Sequence, residues 1–211
     1  MKVVSISLAA AFVLALIPAL GQAQDFAGDV VYVASTKSNS SSAASGTSSD
    51  HSSKLYVSKD KMRLETRGLT GTVLLVNAKE HTAVALFPSQ HSYQDLASAP
   101  SEYFHVEDPE NSCPDWAKVS EQKIACEKIG HEAVDGRQAV KYQNKDAKDA
   151  AVTAVWIDVA LKFVIKWEAF STGAELHNIK EGPQPMDLFA VPSGFNVLQP
   201  RKTASKGFSK R

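Results

Sequence analysis

The chain has 211 residues, with 23 basic and 23 acidic side chains, a formal net charge of zero and 44% hydrophobic residues. Such a balance gives no electrostatic case for nucleic acid or an anionic membrane surface, both of which call for a surplus of Lys and Arg. The length is enough for one core and marginal for two.

Lys2 supplies a short positive start, and Val3 to Leu20 carry no charge. The apolar block from Leu8 to Ile17 is broken by Pro18, and Gly21-Gln22-Ala23 sets small residues where a signal peptidase needs them. A spanning helix requires roughly 20 apolar residues, and this run stops short. Residues 1–23 therefore read as a cleaved secretory signal peptide, with the product exported to a periplasmic or extracellular space. Its loss removes Lys2 and leaves 188 residues, 22 basic against 23 acidic. No later segment approaches transmembrane length, so none is expected in the mature chain.

Residues 38–53 are a polar, Ser-rich insert without a large apolar side chain, which cannot repay the entropy of ordering. The insert reads as a loop joining strands near Val30–Val33 and Leu55–Val57, inside one domain spanning 24–199. From Lys54 the pattern alternates with period two: Leu55 and Val57, then Met62, Leu64 and Thr66, occupy single faces. Turns at 68–71 and 77–80 separate Val73–Val76 from Thr82–Phe87, and such short turns mean antiparallel neighbours. Pro100, Pro109 and Pro114 punctuate the stretch 97–125, whose best helical run is from about Asp115 to Ala125. Strands resume near Glu127, and Asp135-Gly136 is a strong hairpin signal. Further strands are expected at 138–143, 151–158, 161–170 and 174–179, before a basic tail at 200–211. The expected fold is mainly β: nine or ten strands in one antiparallel meander, curled into an unclosed half-barrel under short helical or irregular cover.

An even cysteine count in an exported chain favours a Cys113–Cys126 disulfide. The pair lacks the Cys-x-x-Cys spacing of a redox centre. His51, His81, His91, His105, His131 and His177 show no metal-ligand spacing, and no Gly-x-Ser-x-Gly elbow or phosphate-cradling loop occurs. Asp158, after Trp156-Ile157, reads as a turn acid accepting backbone N–H bonds. No catalytic residue, metal or cofactor is expected, and the chain reads as no enzyme.

Several motifs in order carry a resemblance: Lys61-Met62-Arg63-Leu64-Glu65; Trp156-Ile157-Asp158 followed by Leu161 and Ile165-Lys166; Asn178-Ile179-Lys180; and Phe189-Ala190-Val191-Pro192-Ser193-Gly194-Phe195. The series resembles the LolA/LolB-like superfamily of periplasmic lipoprotein-sorting carriers, from about Asp25 to Leu198, in a secreted branch with paired cysteines. The resemblance implies an unclosed antiparallel β-barrel around a small apolar cavity with short helices as a lid. In such carriers the cavity holds lipoprotein acyl chains. The long amphipathic helix that precedes the first strand in that family is missing, since Asp25 leads almost directly into Val30. On this reading Trp156, Phe163, Ile165 and Trp167 line the concave face and bind an acyl chain or other apolar ligand. The competing reading is an envelope protein that binds a protein partner and no small molecule. A void on the concave side would favour the first, and a filled core with an exposed apolar patch the second.

Exported material should begin at Gln24. Intact-mass analysis of protein recovered outside the cytoplasm checks this, and a product retaining Met1 would remove the case for export.

Overall fold

The computed structural model describes residues 25–34, 53–67, 71–97, 105–120, 124–147, 152–170 and 172–198. The signal segment, all of the Ser-rich insert except Ser53, and the basic tail lie outside the described residues.

Twelve strands form one sheet: β1 (Phe26–Ala34), β2 (Ser53–Ser58), β3 (Lys61–Glu65), β4 (Val73–Asn77), β5 (Thr82–Phe87), β6 (Ser92–Leu96), β7 (Cys126–Val134), β8 (Arg137–Asn144), β9 (Val152–Asp158), β10 (Val164–Ala169), β11 (Thr172–Glu181) and β12 (Asn196–Val197). Their order is β12-β6-β5-β4-β3-β2-β1-β11-β10-β9-β8-β7, with the two ends unjoined, so the sheet is not closed into a barrel. All pairings are antiparallel except β12 on β6. Two meanders, β1 to β6 and β7 to β11, are thus fused where β11 returns to pair with β1. The turns follow local chemistry. Asp135 and Gly136 both take positive φ (47° and 77°), the geometry of a type I′ hairpin.

Two strands exceed the sequence expectation. β6 (Ser-Tyr-Gln-Asp-Leu) is largely polar, and β12 has only two residues, too few to show a period. The single α-helix among the described residues, α1 (Cys113–Val119), begins earlier than the expected run. Pro114 occupies its first turn, where proline's missing N–H costs nothing. Counting that proline only as a breaker hides the start of the helix.

Apolar side chains on one face of the sheet make a large cluster that includes Phe26, Val30, Leu55, Val57, Met62, Val76 and Leu176. A second cluster, Val140, Tyr142, Val155 and Ile157, is covered by Val106 and by Trp116 of α1. A third lies on the opposite face of β4 and β5. There Val73, Leu75 and Leu86 pack beneath Val191 and Phe195 from the C-terminal segment. The continuous Val-Leu-Leu-Val run of β4 is explained by this, because both of its faces are covered. The long edge strand β7 is blunted by a register shift between Lys128 and Gly130 and by exposed charges.

The cover at 105–120 is fastened at several points. Cys113 and Cys126 are joined by a disulfide, with Cα atoms 5.6 Å apart. The buried Tyr142 hydroxyl donates to the Pro109 carbonyl at 2.8 Å and accepts from the Ser112 N–H at 3.1 Å. Val106 N–H donates to the Lys162 carbonyl, and the exposed Glu110 carboxylate takes Lys128 and His131. Lys128, followed by His131, holds the Glu110 carboxyl below the usual carboxylate range.

Replacing Tyr142 with Phe strips two buried backbone groups of their partner. It should cost about 1–3 kcal/mol, read as a lower urea midpoint with an unchanged slope. No change in midpoint would mean that the hydroxyl is dispensable.

Candidate functional site

The four residues expected to share a ligand-binding face do not share one. Paired residues in a ladder point to the same face, and successive residues to opposite faces. Trp156 pairs with Lys141 and Lys166, whereas its neighbour Val155 pairs with Tyr142 and Trp167. The two tryptophans therefore lie on opposite sides of the sheet. Trp167 is turned away from Trp156 because β10 carries a register shift between Val164 and Lys166, which a strict period of two cannot reveal. Phe163, in an isolated bridge with His105, packs edge-on against Phe26 with ring centroids 5.3 Å apart. Phe163 and Ile165 are 3% and 1% exposed within the large cluster.

Trp156 is 2% exposed although charged groups surround its indole. The Lys141 and Lys166 ammonium groups lie 4.6 and 4.8 Å from its ring centroid, and its Nε1–H donates to Glu132 at 2.7 Å. Glu132 also takes Lys141 at 3.0 Å. The Trp156 hydrogen bond, then that of Lys141, holds the Glu132 carboxyl below the usual carboxylate range. Lys166 continues to Glu175, which with Asp135 brackets the His177 ring at 3.3 Å on either side. This band of charges crosses five strands.

The remaining candidate, Trp167, is only partly buried; its backbone borders a surface cavity of about 110 Å³, lined also by Val33, Lys166, Glu168, Gly173 and Glu175, while its side chain shares the opposite face with Val155 and Ala174. The cavity has a definite cause. Val33 and Glu168 both pair with Gly173, so the position between them on that face carries no side chain. A Cβ there would stand 2.8 Å from the Trp167 carbonyl oxygen, which makes the glycine obligatory and the dent permanent. Val31 and Val33 from β1, on the same face, are 40% and 52% exposed, and Phe170, just past β10, is 55% exposed. Sequence reasoning missed this patch. The available signal was a glycine inside a strand-like run, which marks close backbone approach.

Asp158 does what a turn acid does. Its Oδ1 accepts from the Ala160 and Leu161 N–H groups at 2.8 Å each, and its carboxylate pairs with Arg137. His105 is half-buried, and burial, followed by Lys162, pushes its pKa down. Among the described residues, no group of three or more His, Cys, Asp or Glu side chains is placed to hold a metal ion.

No protein-family model matches the chain, and no curated protein matches it. Solved structures do. An uncharacterised conserved protein from Thermus thermophilus aligns at 9% identity with a TM-score of 0.52, over 84% of this chain and 91% of that one. The MucA/MucB complex of Pseudomonas aeruginosa aligns at 14% identity and TM-score 0.47, over 85% of this chain and 60% of that one. A second structure of MucB aligns at 12% identity and TM-score 0.42, over 82% and 59%. The first of these likenesses shows a shared fold.

The Glu132 contacts carry a pH dependence of definite sign. A depressed carboxyl contributes stability that is present above its unfolded value and is lost as pH falls through its folded value. Glu132→Gln should therefore be less stable than the parent at pH 7, and the gap should close below the ordinary carboxylate range. Urea unfolding at pH 7 and pH 3 measures it, and equal gaps at both would remove Glu132 from the balance.

Proposed function

We propose that this is an exported, non-catalytic protein of the cell envelope that works by binding a partner protein at the far end of the β1–β11–β10 ladder. The observation that carries the reading is the exposed apolar pair Val31 and Val33 on the face of the dent at Gly173, with Phe170 exposed just past β10. Large apolar side chains clustered on a surface mark association sites. Size decides what enters the dent. Ligand sites for whole small molecules run to roughly 300–1,000 Å³, and a cavity of about 150 Å³ holds one benzene. At about 110 Å³, this dent suits one apolar side chain of a partner, with Lys166, Glu168 and Glu175 as a polar rim. The expected acyl-chain site has less support, since Trp156, Phe163 and Ile165 are already packed and a chain would have to displace them. Among the described residues no helix is long and apolar enough to cross a membrane.

A photo-crosslinking benzoylphenylalanine at Val33, introduced in the native host, should give one discrete adduct with an envelope protein. The same group at Ile129, exposed on the edge strand β7, should not. Val33→Asp should weaken binding of the identified partner at least tenfold without lowering the melting temperature by more than a few degrees. Fatty-acyl probes titrated against delipidated protein supply the opposing arm. Saturable tryptophan quenching at low micromolar concentration, with no adduct at Val33, would replace partner binding by apolar-ligand carriage.

A further inference from the structure

The sheet has a second covered apolar face, and its cover is held unlike the first. Val73, Leu75 and Leu86 are 1–6% exposed on the outer side of β4 and β5, flanked by Val84 and Tyr93. What hides them is the chain from Gly182 to Leu198, of which no residue is itself fully buried. Val191 and Phe195 are its anchors on the cluster. Past Gly182, whose N–H bonds Asp25 O at 2.8 Å, its backbone attachments are sparse: Asn196 N–H to His91 O at 2.9 Å, Leu198 N–H to Tyr93 O at 2.7 Å, and the Leu188 carbonyl accepting from Arg63 at 2.9 Å. Pro183, Pro185 and Pro192 have no N–H to give. Its only strand, β12, is two residues long and pairs parallel at the outermost edge. No disulfide or buried tyrosine fastens it, in contrast to the cover at 105–120.

We propose that the segment 183–198 is an exchangeable strap, and that the groove beneath it is a peptide-docking site. The site takes an extended segment of a partner protein with two apolar anchors spaced as Val191 and Phe195, the second aromatic, followed by a short strand parallel to β6. The occupant follows from the groove. Val73, Leu75 and Leu86 form a contiguous apolar surface that cannot stand open to water, so the strap can be replaced only by something that fills the same positions. Weakly buried segments with few backbone bonds open at low free-energy cost, and the Gly182 N–H, bonded to the Asp25 carbonyl at 2.8 Å, pins the chain where the strap begins. Removing the strap also frees the edge of β6 to pair with an incoming strand. This site is separate from the patch at Val33 and does not rest on it.

The test uses the full mature chain and a fluorescent synthetic peptide of residues 183–198. The peptide should bind Phe195→Ala protein saturably and at least tenfold more tightly than the parent. Amide exchange at Asn196 and Leu198 should be faster in that variant before peptide is added. A peptide carrying the same Phe195→Ala change should bind neither protein. Should Phe195→Ala not fold, the milder Val191→Ala takes its place with the same expected order. A dimer of the variant that the peptide disperses supports the groove, with a second copy's strap as occupant; a dimer that the peptide leaves intact counts against it. Folded variants that bind no peptide at high micromolar concentration overturn the proposal.

Discussion

The pairing of β1 with β11 is the contact on which the architecture depends. It joins Phe26 to Glu181 and Ala34 to Thr172, residues at the two ends of the domain, and it alone fuses the two meanders into one sheet. Without it, the β2–β6 meander would expose Leu55, Val57 and Met62, and the β9–β11 side would expose Ala174 and Leu176. The ladder is also locally specialised. Its register shifts between Ala27 and Asp29, opposite the left-handed Asn178, and a Cβ on Gly28 would approach Ile179 to 3.3 Å. Closing a pairing this long in sequence costs loop entropy before it returns any burial. The dent at Gly173 lies at the other end of the same ladder, so the feature proposed for binding is placed by the contact that holds the fold together.

What could be read from the sequence divides along physical lines. The antiparallel order, the hairpin at Asp135-Gly136 and the role of Asp158 follow from local chemistry, and each is present in the structure. The face of Trp167 relative to Trp156 was not readable, because one irregularity near Ile165 reverses the parity from Lys166 to Glu168. β6 escaped notice because its polar residues read as loop. Gly173 was visible as a residue, yet its consequence depends on Val33 and Glu168, which arrive from two other strands. A dent between three strands has no local signature.

Trp156 shows how a charged face can bury an aromatic ring. The Lys141 and Lys166 ammonium groups lie over the indole and meet two carboxylates, and Glu132 accepts the indole N–H hydrogen bond. Lysine stems cover apolar surface while their heads stay hydrated. The face is therefore polar to solvent and apolar beneath. Charge pairs of this exposure add little stability individually. Their main effect is to cover the ring, which is 2% exposed beneath them.

The two covers divide the molecule into a fixed part and a yielding one. Over Tyr142, Val155 and Ile157 the cover is held by a covalent bond and by a buried hydroxyl with both of its hydrogen bonds made. Opening it exposes Tyr142, Val155 and Ile157 while the disulfide still tethers Cys113 to β7, so little chain entropy is regained. Over Val73, Leu75 and Leu86 the cover offers two apolar anchors and three backbone contacts, none of them deeply buried. Detaching it returns those backbone groups to water, which satisfies them at little loss, and the penalty is confined to apolar surface. Apolar surface does not discriminate between a strap of the same chain and a segment of another that fits the same groove. A fold that needed both faces sealed permanently would fasten both alike. The asymmetry in how they are fastened is the physical reason to look for a partner at the β4–β6 face, while the disulfide-bound side remains the scaffold.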